Sequence, residues 1–150
     1  MNKPFSLSAS ERIKSKKTLD TLFRIGKAFF VYPYRIVFSI YPMANGAQLA
    51  ASPLRMAISV PKRHFKHAHD RNKLKRLTRE VYRVEKPEWI TWLRNTNLGM
   101  DIVFLYNSAA THSHKDLKAS MQQVAKRIKG IIEKEGQSSS DGEHQDNMKR

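Results

Sequence analysis

The sequence predicts an α+β fold: a single-domain sandwich in which helices pack on one small mixed sheet, with the elements in the order α-β-β-β-α-β-α. The chain of 150 residues, 40% of them hydrophobic, is long enough for one core and too short for two ordinary domains. Apolar residues alternate with the period of a strand in some segments and recur with helical spacing in others. Strands and helices that interleave without an internal repeat favour this sandwich.

The first helix is predicted to begin at Ser15, whose side chain suits an N-cap, and to stop at Gly26. Its apolar residues are Leu19, Leu22 and Phe23. The next stretch is rich in β-branched and aromatic residues, and Pro33 divides it into two predicted strands, 29–32 and 34–41. The second of these strands has one apolar face, made by Tyr34, Ile36, Phe38 and Ile40.

A third strand is expected around residues 56–60, with Met56, Ile58 and Val60 on one side. A long helix is expected over residues 70–85, with Asp70 as its N-cap. Pro87 is expected to break this helix, and a second short helical piece is expected within residues 88–98.

A fourth strand is predicted over residues 101–107, and a last helix is predicted to start at Ser113, which forms a capping box with Asp116. The end of the chain has a Ser run, mixed charge and almost no apolar residues, which is typical of disorder. The predicted organisation is a partly ordered N-terminal extension (1–14), a folded domain (15–135) and a disordered C-terminal tail (136–150).

The charge balance points to a polyanionic partner. Lys and Arg number 28 against 13 Asp and Glu, which gives a formal net charge of +15. Self-repulsion of this size destabilises the compact state unless an anion neutralises it, and nucleic acid is the commonest such anion. An anionic membrane surface is the rival partner, but no apolar run is long enough to span a membrane and no basic helix has a broad face rich in Trp or Phe.

The absence of cysteine excludes a disulfide scaffold, a thiolate nucleophile and a Cys-ligated metal site. No secretory signal opens the sequence, so a cytoplasmic location is expected. His64, His67 and His69 form a cluster, but no carboxylate or thiolate stands at ligand spacing from them. The acids form no pair suited to general acid–base chemistry, so neither a metal site nor a catalytic residue is predicted.

The predicted long helix carries the strongest local signal for function. Its exposed arc is crowded with Arg71, Asn72, Lys75, Arg76, Arg79 and Arg83. Glu80 is the only acid between Asp70 and Glu85, so the alternating signs of an ordinary solvated face are missing. Arg71 and Lys73 also lie in the first turn, where the helix dipole disfavours cations. This helix is therefore predicted to bind phosphates of a nucleic acid.

The run Arg-Asn-Lys-Leu-Lys-Arg-Leu at residues 71–77 resembles the Arg-Asn-Arg signature of the bacterial ribonuclease P protein family. As in that family, a strand and a short turn with two basic residues precede it, at residues 58–63. Phe5-Ser-Leu, residues 12–23 and Gly26 match in order and spacing, so the likeness covers about residues 5–134. The family's fold is ribosomal protein S5 domain 2-like. Two departures are Lys73, in place of the second signature arginine, and Pro61, where the family often has Ser.

This resemblance implies a protein subunit that assists a catalytic RNA in removing the 5′ leader from precursor tRNA. The implied partners are the catalytic RNA and precursor tRNA, without a membrane. The implied cofactor is Mg²⁺ held by RNA and phosphates in the holoenzyme, with none bound by protein side chains. The RNA-subunit surface carried over by position comprises Lys62, Arg63, Arg71, Asn72, Lys73, Lys75, Arg76 and Arg79.

The resemblance also implies a cleft between the first helix and the sheet that holds the single-stranded leader. Phe23 matches an aromatic position of this cleft, and Leu19 stands where the family often has an aromatic residue. Tyr34 and Phe38 are added to the predicted cleft because unpaired bases stack on aromatic faces. The family therefore predicts two separate RNA-binding surfaces on one small domain.

Two other functions stay open at this point. A ribosomal or other structural RNA-binding protein is compatible with the composition, but such a protein needs no leader-binding cleft opposite its basic helix. A protein-only nuclease would use the histidines and would have to cleave RNA without any RNA subunit.

Overall fold

A computed structural model describes the backbone of residues 9–43 and 52–149 and the side chains of residues 10–43 and 52–135. Most of the predicted N-terminal extension, including Phe5, lies outside these ranges. A 3₁₀ turn, Ala9–Glu11, is followed by α1 Lys16–Ile25, β1 Lys27–Val31, β2 Tyr34–Pro42, β3 Leu54–Ser59, α2 Ala68–Asn95, β4 Leu98–Tyr106 and α3 His114–Lys149. The predicted order of helices and strands is confirmed.

The four strands form one mixed sheet in the order β1-β2-β4-β3. β4 pairs antiparallel with β2 and parallel with β3. In this register Tyr34 lies opposite Tyr106 and Ser59 opposite Leu105, so β3 and β4 finish at the end of the sheet where β1 turns into β2. We call this end, with the β1–β2 turn and the segments that follow β3 and β4, the turn end of the sheet.

The two faces of the sheet bury different clusters, because successive strand residues point to opposite sides. The α2/α3 face buries Tyr34, Ile36, Phe38, Met56, Ile102, Phe104 and Tyr106. On the α1 face, Ile13 and Leu22 pack with Val37 and Val103. Burying each large apolar side chain contributes roughly 1.5–3 kcal/mol, so the larger cluster dominates the stability of the fold. The apolar strand faces predicted from alternation are the ones that this cluster buries.

Helix α1 has the predicted ends. The Ser15 hydroxyl accepts a hydrogen bond from the backbone N–H of Thr18 at 3.3 Å, as an N-cap does. Gly26 donates its N–H to the Leu22 carbonyl oxygen at 2.7 Å. A Cβ at Gly26 would overlap this oxygen and would lie 3.0 Å from the Phe38 carbonyl oxygen. The chain therefore needs glycine where α1 passes directly into the sheet.

The expectation that Pro87 breaks the second helix is wrong, because α2 continues through it to Asn95. An interior proline removes one backbone hydrogen bond and costs about 3 kcal/mol. Both sides of the proline are anchored in the same core: Tyr82 and Trp89 are buried with ring centroids 5.8 Å apart, and Leu93 is fully buried. Burial of these large side chains offsets the proline penalty.

For α2 and α3, the predicted helix starts are confirmed only in part. Asp70 is not the N-cap of α2, because the helix starts at Ala68 and His67 occupies the cap position without a side-chain cap hydrogen bond. Asp70 lies instead in the first turn, where the helix dipole favours an acid. Helix α3 begins as predicted, since the Ser113 hydroxyl accepts the N–H of Asp116 at 3.2 Å.

Helix α3 continues to Lys149, so residue 136 is not a boundary of secondary structure. The boundary at residue 136 was predicted from the polar composition of the tail. Composition does not decide where a helix ends, because the hydrogen bonds of a helix form within its own backbone. The side chains beyond Glu135 lie outside the described part of the chain. Disorder of the tail stays a prediction.

A buried ion pair ties the segment before α1 to the middle of α2. The Lys86 ammonium is 2.9 Å from each carboxylate oxygen of Glu11, and Lys86 is only 1% exposed. The Ile13 N–H also bonds to the Met56 carbonyl oxygen at 3.0 Å, which adds residues 12–13 to the open edge of β3. These contacts fix residues 11–13 against the domain.

We predict that Glu11→Gln lowers the free energy of unfolding by about 3–5 kcal/mol, because it leaves the buried Lys86 ammonium without its carboxylate. Urea denaturation followed by circular dichroism measures this loss. The double variant Glu11→Gln/Lys86→Met should recover most of it, since neither member of this pair then carries a charge. Glu80→Gln, which removes the exposed partner of Arg83, is the control and should change little. Equal stability of Glu11→Gln and the control would contradict this prediction.

Candidate RNA interface

The first half of α2 presents its basic residues on the side away from the core. At roughly 100° per residue, Asn72, Lys75, Arg76 and Arg79 share one arc, whereas Arg71 and Lys73 lie on its two flanks. Asn72, Lys73 and Arg76 are exposed, and Arg71, Lys75 and Arg79 are half-buried. Lys62 and Arg63 are exposed in the turn that leads from β3 into this helix. The structure thus places the eight residues predicted to bind the RNA subunit on one turn and the adjoining helix.

Arg71 has a role inside the protein that the sequence does not reveal. Its Nη1 donates hydrogen bonds to the carbonyl oxygens of Phe65 at 2.7 Å and Lys66 at 2.8 Å. The guanidinium therefore holds the end of residues 60–67, which we call the basic turn, against the start of α2. Nη1 of Arg71 is engaged in these two bonds, so only the remaining N–H donors of the guanidinium are free for another partner.

A positive groove lies between residues 12–14, β3 and the basic arc of α2. It has a volume of about 300 Å³, with a floor of Met56, Ala57 and Ile58. Its rim carries four cations: Arg12, Lys14, Lys75 and Arg79. No acid lines this groove in the part of the chain that the structure describes. Sequence reasoning missed Arg12 and Lys14 because only the pairing of residues 12–13 with β3 brings them beside α2.

Two nearby acids are already paired with other cations. Glu11 bonds to Lys86, and Glu80 bonds to Arg83, which lowers the pKa of the Glu80 carboxyl. Like charges without counter-ions repel, by about 1 kcal/mol for a close pair in water. An anion bound in the groove would offset this repulsion, so the groove is a candidate site for phosphate.

Of the four residues predicted to line the cleft beside α1, two lie there and two do not. Phe23 is 49% exposed, and Leu19 packs partly buried beside the cluster on the α1 face. Tyr34 and Phe38 do not line this cleft, because both are fully buried on the opposite face of the sheet. The Tyr34 hydroxyl bonds to the Thr78 hydroxyl at 2.7 Å, and burial raises its pKa to about 12.

Strand alternation explains this error. On β2 the α1 face carries the odd-numbered residues Arg35, Val37 and Ser39, whereas the even-numbered aromatics belong to the core under α2 and α3. The signal was present in the sequence, since Tyr34 and Phe38 share their face with Ile36. Aromatic type alone does not distinguish a stacking surface from a core, and burial is the commoner role of aromatic residues in strands.

A polar network closes one end of the α1 face. Arg55 binds Asp101 through two hydrogen bonds, Nε to Oδ1 at 2.9 Å and Nη2 to Oδ2 at 2.8 Å. The Tyr41 hydroxyl donates to Oδ1 at 3.2 Å, and burial together with the Asp101 charge raises the pKa of Tyr41. A cavity of about 240 Å³ opens beside Asp101, between α1 and Ser39. Because Arg55 neutralises Asp101, this acid does not leave a free negative charge that would repel phosphates.

The structure also bears on metal binding and on membrane-spanning helices. The described residues contain no group of three or more His, Asp or Glu side chains placed to hold a metal ion. No helix within residues 9–43 and 52–149 is long and apolar enough to cross a membrane.

Comparison with known proteins shows which family the chain resembles. Residues 7–129 match the family model Ribonuclease P. Two proteins named ribonuclease P protein component, from two strains of Porphyromonas gingivalis, are 35% and 34% identical to this chain over 128 residues, which cover 85% of it and 90% of each relative.

Solved structures share the fold. The RNase P protein of Staphylococcus aureus has a TM-score of 0.58 at 22% identity, over 79% of this chain and 95% of that one. The RNase P protein of Thermotoga maritima has a TM-score of 0.56 at 21% identity, over 78% of this chain and 96% of that one. With a family model that matches most of its residues and relatives above 30% identity along nearly their whole length, this chain belongs to the ribonuclease P protein family.

Proposed function

We propose that this chain works as the protein subunit of a ribonuclease P holoenzyme, in which it binds the catalytic RNA and the 5′ leader of precursor tRNA and so assists removal of the leader. The observation that carries the proposal is the basic arc of α2 together with the positive groove beside it, in a member of this family. A ribosomal or other structural RNA-binding role is not favoured, because the family match covers residues 7–129.

The proposal divides the work between protein and RNA. Mg²⁺ held by RNA and phosphates would activate water and stabilise the leaving oxygen during phosphodiester hydrolysis. The protein side chains neutralise phosphates and orient the strands, so no protein residue needs to act as acid, base or nucleophile. A complex of this kind would work where precursor tRNA is made, in the cytoplasm.

The RNA-subunit surface of the proposal is the basic arc of α2 with the basic turn. Exposed Lys and Arg side chains give an affinity that depends on salt, because each phosphate contact releases condensed counterions. Lys73 keeps the positive charge of the arginine it replaces but lacks its planar fork, so it would contribute charge without bidentate geometry. Arg71 would act mainly through the basic turn that it holds in place.

The leader-binding surface of the proposal is the side of α1 that carries Leu19 and Phe23. The half-exposed Phe23 ring leaves a face on which an unpaired base can stack. Stacking does not depend on base identity, which suits leaders of varied sequence. Tyr34 and Phe38 have no part in this surface.

We predict that Arg76→Ala weakens binding to the catalytic RNA and lowers the slope of log affinity against log salt by about 0.7–0.9 unit, the value for one lost phosphate contact. Arg94→Ala is the matched control, because Arg94 is an exposed arginine at the other end of the same helix. Filter binding over a series of salt concentrations measures both slopes. Identical slopes for the two variants, with circular dichroism showing both folded, would remove Arg76 from the interface.

Arg71 should behave differently from Arg76. Arg71→Lys keeps the charge but loses the guanidinium that reaches two carbonyl oxygens, so backbone amides of residues 62–67 should exchange faster with deuterium while the salt slope stays close to that of the wild type. Hydrogen exchange with mass spectrometry measures the first effect. Arg76→Ala should leave this exchange unchanged. If Arg71→Lys also leaves it unchanged, Arg71 does not hold the turn.

Phe23→Ala should weaken binding of precursor tRNA with a long leader by about 5- to 150-fold, the loss of one stacked base at about 1–3 kcal/mol. Mature tRNA, which has no leader, should bind as before. Both ligands are measured on holoenzyme with saturating protein, so that assembly is not the variable. Val84→Ala, at an exposed apolar residue of α2, serves as the control. Equal weakening toward both ligands would defeat the assignment of Phe23 to the leader.

A further inference from the structure

One row of residues on the α1 face of the sheet is left uncovered by the described part of the chain. The strand register places four residues side by side in this row, one from each strand: Phe30, Arg35, Leu105 and Ser59. They share the α1 face because Arg35 is two residues from Val37, which packs under α1. Phe30 is 45% exposed, Arg35 and Ser59 are also exposed, and Leu105 is half-buried. We call these four residues the open row.

The flank of α1 that carries Phe23 faces the open row. At roughly 100° per residue, Thr21 lies on the opposite flank of the helix. Thr21 lines a cavity together with Ser39, which is two residues beyond Val37 on β2 and further from the turn end. Arg35 is two residues from Val37 in the other direction. The half-exposed ring of Phe23 is therefore one wall of a groove whose floor is the open row.

Phe30 and Arg35 place an exposed ring and a cation next to each other in this groove. Residues directly opposite each other on antiparallel strands have Cβ atoms about 5 Å apart. Arg35 forms no ion pair with an acid in the described part of the chain. Proteins hold unpaired nucleotides with exposed rings and neighbouring cations, and a guanidinium suits the phosphate between two bases.

The groove leads away from the surface that is proposed to bind the catalytic RNA. Lys75 and Arg79 of the basic arc line the positive groove beside β3, at one edge of the sheet. Phe30 lies on β1, at the opposite edge. Helix α1 runs between these edges, from residues 12–13 beside β3 to Gly26 before β1. A strand that comes from the α2 side therefore passes Phe23 before it reaches Phe30.

We infer that Phe30 and Arg35 bind a part of the leader that is further from the cleavage site than the part at Phe23. Phe30 supplies a second face for stacking, and Arg35 binds a leader phosphate. This inference rests on the proposed function and extends its leader surface across the sheet to β1. The leader is the occupant because the open row and Phe23 line the same groove, whereas the basic arc lies beyond the β3 edge.

The test is binding of precursor tRNA with leaders of graded length to holoenzyme assembled with saturating protein. Phe30→Ala should lose about 5- to 150-fold in affinity for the longest leaders, as for one unstacked base. It should lose nothing for leaders that are just long enough to reveal the loss in Phe23→Ala. Phe30→Leu keeps apolar volume without a π-face and should show the same dependence on length. Val84→Ala, at another exposed apolar side chain, should bind as the wild type does.

Arg35 is tested through salt. With long leaders, Arg35→Gln should lower the slope of log affinity against log salt by about 0.7 unit, the value for one phosphate contact with a single strand. Arg94→Gln, at an exposed arginine near the end of α2, is the control and should keep the wild-type slope. Mature tRNA should bind both variants as it binds the wild type.

Each contrary result has its own meaning. Unchanged affinity of Phe30→Ala for the longest leaders would overturn stacking on Phe30, and an unchanged slope for Arg35→Gln would overturn its phosphate contact. Equal losses for short leaders or mature tRNA would overturn the assigned part of the leader. Weaker binding of the catalytic RNA alone would make that RNA the occupant. If Phe30→Ala does not fold by circular dichroism, Phe30→Leu carries the test. A wild-type affinity that does not depend on leader length would refute leader binding in the proposed function itself.

Discussion

The position of β4 between an antiparallel and a parallel neighbour is the constraint on which the rest of the structure depends. β4 is buried along most of its length, and it pairs with β2 on one side and β3 on the other. A parallel neighbour cannot be reached by a tight turn, so the chain must cross back along the sheet, and α2 is that crossing. The same step fixes where the basic residues lie, because α2 starts at the turn end, directly after the basic turn.

Two acidic residues pair with cations within or beside the core, and the surface stays strongly basic. Among the described residues, Glu11 and Asp101 bind Lys86 and Arg55 within or beside the core. Acids used in this way hold the fold together and do not screen the basic arc or the positive groove. The surface that results is unfavourable for the isolated domain and favourable for an RNA complex, in which phosphates replace the missing counter-ions.

Local patterns predicted the strands, both ends of α1 and the start of α3, because alternation and capping depend on residues close in sequence. The hydroxyls of Ser15 and Ser113 accept the N–H groups expected of caps. The expectation that Pro87 breaks α2 was wrong because the free-energy cost of an interior proline is a local effect. The burial of α2 side chains that offsets this cost depends on a core to which the whole chain contributes. The expectation for Tyr34 and Phe38 was wrong because the strand face that they share with Ile36, and not their aromatic type, decides their burial.

Tertiary pairing created the remaining features of the interface. Asp101 meets Arg55 only because β3 lies beside β4, and Arg12 reaches the groove only because its segment extends the sheet edge. The bond from Arg71 to the basic turn depends on the path of eight residues between β3 and α2. Such contacts leave no periodic mark in a single sequence, so the composition of the interface was predictable and its geometry was not.

The parallel pairing of β3 with β4 has a further consequence for how fast a complex forms. Both strands end at the turn end, so α2 and α3 both start there and run in the same direction from it. Each helix start carries about half a positive elementary charge from its aligned peptide dipoles. These partial charges add to those of Lys62 and Arg63, on the surface where the catalytic RNA is proposed to bind. A field of this kind orients an approaching polyanion before contact and raises the rate of productive encounter at low ionic strength.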